Sequence, residues 1–174
     1  VQFPSLNYLN VDDLVWNSAT FTPPLVTEMA RLVRPNARLV PVVYYAMLEA
    51  AAALPLDGVL YYFRNDKAGG CPAACAPARL RNCSRSWPTQ GCLGGKCAEL
   101  TVGNVAGEIA DVRAAIKPDM PIHVGVYVSA HQPGGFNCSS PSNDYGRLVL
   151  EAALVLPEIS GVMAYRMQTS PTPQ

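Results

Sequence analysis

The chain has 174 residues, a length that fits one domain with ample room for a hydrophobic core. Its 13 basic and 13 acidic residues cancel, so the charge balance does not indicate a nucleic-acid or anionic-membrane partner. No apolar run reaches the roughly 18 residues that a membrane-spanning helix requires. The composition therefore predicts a single globular domain without a membrane span.

The first predicted element is an apolar strand over residues 6–17, interrupted near its end by Asp12 and Asp13. An ionised carboxylate is costly in a buried strand unless it is paired or put to use, so the two acids predict either a functional site or a local cap. Thr22 is then expected to cap a helix that has Pro23 at its first position, where the missing N–H costs nothing.

The remaining elements alternate between strand and helix. Strands are predicted at 38–45, 57–64, 122–129 and 160–167, and helices at 46–54, 99–116 and 142–156. A loop rich in Gly, Pro, Ala and Arg occupies 65–98, and a polar, Pro-rich tail occupies 169–174. The strict alternation with helix-length connections predicts an α/β domain with a parallel sheet over 1–168.

The 65–98 segment is interpreted as a loop insertion held by disulfides, because five of the six cysteines lie in it. The cysteines are Cys71, Cys75, Cys83, Cys92, Cys97 and Cys138. A zinc site is the alternative, but the spacings lack the paired C-x2-C knuckles of common zinc modules, so no metal site is predicted. The sequence does not choose among the disulfide pairings.

Glycosylation sequons at Asn82 and Asn137 agree with the cysteines in indicating an extracellular or cell-surface glycoprotein. The first residues of the chain have neither the basic nor the apolar region of a signal peptide. A secreted protein with this beginning is therefore expected to be a processed or partial product.

Two α/β architectures compete. A doubly wound open sheet usually carries a Gly-rich turn after its first strand, but residues 16–20 contain no glycine. A (β/α)8 barrel instead gathers polar and aromatic residues at the carboxyl ends of its strands. Such residues end every predicted strand: Asp12 and Asp13; Tyr44 and Tyr45; Tyr62 and Arg64; Tyr127, Ser129 and His131; and Tyr165, Arg166 and Gln168. We therefore favour a partial TIM-type (β/α) barrel of five strands, whose missing strands come from an upstream segment or a partner chain.

Six short motifs follow one another along the chain: Val11-Asp12-Asp13-Leu14, Thr20-Phe21-Thr22-Pro23, Val43-Tyr44-Tyr45, Asp57-Gly58-Val59-Leu60, Val126-Tyr127-Val128-Ser129-Ala130-His131 and Gly161-Val162-Met163. In this order they resemble strands four to eight of a glycoside-hydrolase-like (β/α)8 barrel. The resemblance implies a domain that acts on or binds carbohydrate. The sequence departs from the related chitinase-like barrels, because Leu14 and Val15 follow the two acids where that family continues to a catalytic Glu.

The candidate catalytic residues are Asp12, Asp13 and His131, as carboxylates and a general acid/base. Neighbouring residues on a strand point to opposite faces, so one acid is expected to face the interior, with Asp13 slightly favoured. A second carboxylate, which glycoside cleavage usually needs, would come from Asp66, Asp144 or the missing segment. A histidine bonded only to backbone is the alternative reading of His131.

Seven residues at the strand ends are predicted to bind substrate: Tyr45, Tyr62, Arg64, Asp66, Tyr127, Tyr165 and Arg166. Tyrosine rings suit the apolar faces of sugars, although a tyrosine at the end of a buried strand is as often a core residue with a hydrated hydroxyl. The arginines could equally pair with the buried Asp. No cofactor is predicted.

Two functions fit this sequence. The first is a secreted carbohydrate-active hydrolase, indicated by the residues at the strand ends. The second is a catalytically silent extracellular structural or glycan-binding glycoprotein that assembles with other chains. The second is indicated by the missing second acid, the cysteine-rich segment and the Pro-rich tail. A barrel fold alone does not decide between them.

Overall fold

The computed structural model describes residues 7–64, 67, 102–127 and 143–165. Within these ranges the chain is an α/β protein in which every strand pair is parallel, as predicted. The six cysteines and the sequon residues Asn82 and Asn137 lie outside the described residues. No helix in the described part combines the length and apolar character that crossing a membrane requires.

The elements follow the predicted alternation, except that two short strands, β2 and β3, replace the single strand predicted at 38–45. They are β1 (Tyr8–Leu9), α1 (Pro23–Val33), β2 (Arg38–Leu39), β3 (Val42–Val43), a 3-10 helix (Tyr45–Met47), α2 (Leu48–Ala52), β4 (Val59–Tyr62), α3 (Val105–Ala115), β5 (Ile122–Tyr127), α4 (Asn143–Leu154) and β6 (Ile159–Tyr165). Helix α1 begins at Pro23 with Thr22 in an extended conformation at the N-cap, although the Thr22 side chain makes no capping hydrogen bond. Its buried face consists of Val26 and Ala30.

Segments β2 and β3 are two parts of one extended stretch that links the two sheets. β1 pairs with β2, while the second sheet has the order β3-β4-β5-β6. The Val42 N–H donates to the Val11 carbonyl at 3.1 Å, so the pairing with the first segment continues past β2. Pro41 lacks an N–H, which interrupts the ladder on the other side, but its carbonyl still accepts from the Leu60 N–H at 2.9 Å. Spatial order therefore follows chain order from β1 to β6.

The two faces of the sheet have different neighbours. Each strand lies beside the preceding one, always on the same side of it. Right-handed connections between such parallel strands place all their helices on one face of the sheet. Tyr61 points to this helix face, where its hydroxyl donates to Glu108 on α3. Helix α2 contacts α3, and α3 contacts α4, so the helices form one layer in chain order. Tyr62, the next residue, points to the opposite face, because side chains alternate along a strand.

This opposite face is concave. Tyr8 on β1 and His123 on β5 are three strand spacings apart, which would separate them by about 14 Å in a flat sheet. Their ring centroids are 5.3 Å apart, with the rings edge to face. The side chains converge because the sheet curls around them. We call the surface that carries Tyr8, Tyr62 and His123 the concave face.

The core lies between the sheet and the helix layer. Its largest fully buried side chains include Tyr61, Phe63 and Ile109. Glu108 is also fully buried, and its carboxylate accepts from the Tyr61 hydroxyl and from the Lys67 N–H, the latter at 2.8 Å. These two bonds compensate the carboxylate for lost hydration and fasten the chain beyond β4 to α3.

Candidate functional site

Three tyrosines at the carboxyl ends of the strands contact one another on the concave face. The ring centroids of Tyr44 and Tyr62 are 6.2 Å apart with their planes tilted by 41°. Those of Tyr62 and Tyr165 are 5.9 Å apart and nearly perpendicular, at 87°. The guanidinium of Arg64 lies 4.9 Å from the centre of the Tyr44 ring, within the range of a cation–π interaction. We call Tyr44, Tyr62 and Tyr165 the tyrosine cluster.

The cluster depends on a glycine between two of its members. Strands β4 and β6 are separated by β5, on which Gly125 is the register partner of Tyr62. A Cβ atom at position 125 would lie 3.0 Å from two atoms of the Tyr62 ring. The ring therefore lies over the bare backbone of Gly125 and reaches Tyr165 on the far side. A larger residue at 125 would block this contact.

The two neighbouring acids occupy a turn, so the prediction that they alternate along a strand is wrong. Strand β1 ends at Leu9, and residues 12–20 form turns. Asp13 has a positive φ of 53°, and its carbonyl accepts from both the backbone N–H and the side-chain amide of Asn17, at 2.9 and 3.1 Å. Asp and Asn tolerate this left-handed conformation better than most residues, which explains why the strand stops here. Both acids are exposed.

Asp12 is the acid whose charge affects the pKa of Tyr62 in the tyrosine cluster. Burial, and next the negative charge of Asp12, raise the pKa of the Tyr62 hydroxyl well above its usual range. The phenol of Tyr62 is therefore harder to ionise than that of a free tyrosine. The Asp12 side chain also accepts from the Asp13 N–H at 3.0 Å, which fixes the start of the turn. Since both acids are exposed in the turn, the slight preference for Asp13 as the inward acid stays a prediction.

Tyr45 is directed away from the tyrosine cluster. It starts the 3-10 helix, and its hydroxyl donates to Asp111 on α3 at 2.6 Å. Lys67 pairs with the same carboxylate at 2.7 Å, and the two hydrogen bonds lower the pKa of Asp111. The hydrogen bond to Asp111 raises the pKa of Tyr45. Of the predicted pair Tyr44 and Tyr45, the first lies in the cluster and the second helps to hold α3.

Several predicted site residues lie outside the described residues: Asp66, His131 and Arg166. Tyr127 ends β5 as the register partner of Tyr165, and Asp144 lies in the first turn of α4. The predicted residues that the structure brings together on the concave face are thus Tyr62, Arg64 and Tyr165, and the charge of Asp12 in the nearby turn raises the pKa of Tyr62.

Sequence reasoning missed two features of this region. Tyr44 belongs to the cluster because β3 pairs with β4 in a register that places it beside Tyr62. Alternate residues of a strand share a face, so counting two positions on from Val42 would have placed Tyr44 on the face that Val42 occupies. Trp16 is the second: it lies in the turn after β1 with its side chain 68% exposed. The available signal was a tryptophan three residues after the two acids.

His123 lies on the concave face near the start of β5, at the opposite end of the strands from the tyrosine cluster. Burial lowers the pKa of its imidazole below the ordinary value of 6.5, and a hydrogen bond to the Val59 backbone only partly opposes this. Its Nδ1 is buried and has no hydrogen-bond partner among the described residues. Gly161 makes room for the ring, since a Cβ there would lie 3.0 Å from it. The neutral imidazole suits this environment.

The assembled groups suit a ligand rich in hydroxyls. Tyr62 supplies a phenol that stays protonated, and Asp12 supplies an exposed carboxylate that accepts hydrogen bonds. Arg64 places a positive charge at the same end of the sheet. In the described part of the chain, no three His, Cys, Asp or Glu side chains lie close enough to share a metal ion.

No protein-family model matches this chain. A search of curated protein sequences likewise finds no significant match.

Proposed function

We propose that this chain is an extracellular carbohydrate-binding domain built as part of a glycoside-hydrolase-like (β/α) barrel. The observation that carries the proposal is the meeting of Asp12, Arg64 and the tyrosine cluster at the carboxyl ends of β1, β3, β4 and β6. That end of the strands is where barrels of this kind place their ligand sites. Charged and phenolic groups on a half-apolar floor match a sugar, which has hydroxyls at its edge and apolar faces.

The partial barrel is supported by strand order and curvature. A doubly wound sheet reverses its strand order at a switch point, whereas here neighbours in the sheet are neighbours in the chain. The contact between Tyr8 and His123 bends the sheet in the sense that closure requires. β1 and β6 are the end strands of the described sheets. In the proposed barrel they pair with strands of an upstream segment or a partner chain.

Binding requires fewer groups than hydrolysis. Cleavage of a glycosidic bond uses two carboxylates about 5–10 Å apart. Asp12 supplies one, while Asp13 contributes its carbonyl to the turn. Asp66, four residues after Tyr62, is the candidate for the other. Hydrolysis is therefore the second candidate function, and it depends on Asp66 or on a segment that completes the barrel.

The extracellular location rests on the sequence. Six cysteines, five of them between 71 and 97, together with sequons at Asn82 and Asn137, favour an oxidising compartment and a glycosylated, disulfide-linked protein. A catalytically silent glycoprotein that assembles with other chains would have the same features.

Binding can be tested by native gel electrophoresis of the full chain in gels that contain laminarin, galactomannan or soluble xylan. We expect at least one polysaccharide to retard the protein, and Asp12→Asn to remove most of the retardation. Asp119→Asn is the matched control, because Asp119 is also exposed but precedes β5 at the opposite end of the sheet. The absence of retardation by a broad polysaccharide panel, or equal retardation of both variants, would refute the proposal.

Turnover separates the two functions. Incubation of the parent with the polysaccharide that binds, followed by measurement of new reducing ends, detects glycoside cleavage. Reducing ends that appear with the parent and disappear with Asp12→Asn would assign hydrolysis. Retardation without reducing ends would assign binding alone.

A further inference from the structure

The rings of the tyrosine cluster are already covered by protein. Tyr62 is 3% exposed and Tyr44 is 8% exposed. Tyr62 contacts a ring on either side, and the Arg64 guanidinium lies over Tyr44. A sugar that stacks on an aromatic side chain needs an open ring face. These two tyrosines can therefore form the floor of a site, but they do not provide its stacking surface.

Trp16 is an aromatic side chain that is open to solvent at the same end of the sheet. It belongs to the turn that follows β1 and begins with Asp12. Four residues span at most about 14 Å of extended chain, and a turn shortens this distance. The indole therefore lies within the length of a short oligosaccharide from the carboxylate that acts on Tyr62.

Trp16 belongs to a turn that is anchored to the core by its neighbours in the chain. Leu14 and Val15, the two preceding residues, are 0% and 6% exposed and belong to the core. The next residue, Asn17, donates its backbone N–H to the Asp13 carbonyl at 2.9 Å, which closes the turn around Trp16. The Trp16 side chain is 68% exposed, so a ligand that covers it would bury apolar surface, which is favourable.

We infer that Trp16 is the stacking platform of the carbohydrate site and selects pyranose chains. One ring of the chain packs its apolar face on the indole, and the next lies over the tyrosine cluster with its hydroxyls at Asp12. This inference rests on the proposed function, because it assigns the ligand of the same site. It adds the requirement that the ligand has a sugar ring with a continuous apolar face. Small polar molecules without such a ring do not meet this requirement.

The test is Trp16→Ala in the full chain, with dissociation constants measured for the polysaccharide that retards the parent. We expect binding to weaken about tenfold, the effect of losing roughly 1.4 kcal/mol of contact. Trp16→Tyr, which keeps an aromatic plane, is expected to recover part of the loss. Leu32→Ala is the matched control, since Leu32 is 60% exposed on α1 and should not affect binding.

Fluorescence provides a second measurement. Trp16 and Trp87 are the two tryptophans of the chain, so a Trp87→Phe background reports on Trp16 alone. We expect its emission to shift to shorter wavelength when the polysaccharide covers the indole. If Trp16→Ala bound the polysaccharide as tightly as the parent, or if the emission did not shift at saturation, the inference would be overturned. The proposed function would still be decided separately by the Asp12→Asn result. A parent that binds no polysaccharide would overturn both.

Discussion

Gly125→Ala tests the arrangement of the concave face, because it adds one methyl group under the Tyr62 ring. The new Cβ would meet three ring atoms at 3.0–3.1 Å. Carbon atoms in favourable contact are about 3.5–4.0 Å apart, so the ring must move by roughly 0.5–1 Å. It has little room, because it is 3% exposed and contacts Tyr44 and Tyr165.

Overpacking of this kind typically costs about 1–3 kcal/mol. Replacing glycine by alanine also restricts the unfolded chain, which returns about 0.4–1 kcal/mol. The net expectation for Gly125→Ala is a loss of about 1–2 kcal/mol in the free energy of unfolding. For a chain of 174 residues this corresponds to a fall in Tm of roughly 2–8 °C.

Urea unfolding followed by far-UV circular dichroism measures this loss. Gly107→Ala is the control, because a Cβ on this exposed glycine of α3 meets nothing within 4 Å. Alanine there favours the helix by up to about 1 kcal/mol, so the two glycine substitutions should act in opposite directions. Adding Tyr62→Leu to Gly125→Ala should remove the clash and make the combined loss smaller than the sum. A Gly125→Ala variant as stable as the parent would refute the described packing of Tyr62.

Two further predictions concern buried polar groups. Glu108→Leu leaves the Tyr61 hydroxyl and the Lys67 N–H without their acceptor, so we expect a loss of about 2–3 kcal/mol in urea unfolding. Adding Tyr61→Phe should recover part of this loss, and additive losses would contradict the buried hydrogen bond. For His123, the unfolded chain binds more protons near pH 6 because folding lowers the pKa, so stability should fall as pH decreases from 7 to 5. His123→Gln should reduce the change in the free energy of unfolding between pH 7 and pH 5. If the change stayed the same, groups other than His123 would cause it.

The local features of the fold were predictable from sequence. Pro23 begins α1 because its fixed φ suits the first helical turn and its missing N–H has no partner there in any case. The β-branched and aromatic runs gave β4 and β5, which lie within the predicted 57–64 and 122–129. These signals are local: each depends on residues a few positions apart, and tertiary contacts did not override them. Alternation of strand and helix then gave the parallel sheet.

The site required information that is not local. Asp12 and Asp13 look like strand residues in an apolar run, but Asn17 competes for the Asp13 carbonyl and turns the chain. Tyr44 and Tyr45 look equivalent, and only the register with β4 and the start of the 3-10 helix separate their roles.

Glu108 shows how a buried acid can be found in advance. It lies on the same helical stripe as Val105, Ile109 and Val112, all of them buried. A charged residue at an apolar position of a helix demands a partner, which here is Tyr61 on the helix face of β4. The stripe was visible in the sequence, and the partner was not.

Glycines determine which aromatic side chains meet on the concave face. Tyr62 extends over Gly125 on the next strand, and His123 over Gly161 on the strand after that. In both cases a ring leans in the same direction across a position that has no side chain. Close packing of this kind covers the ring faces, and Tyr62 is only 3% exposed. A ligand that needs an apolar surface must therefore find it outside the floor, and Trp16 provides one in the turn that also carries Asp12.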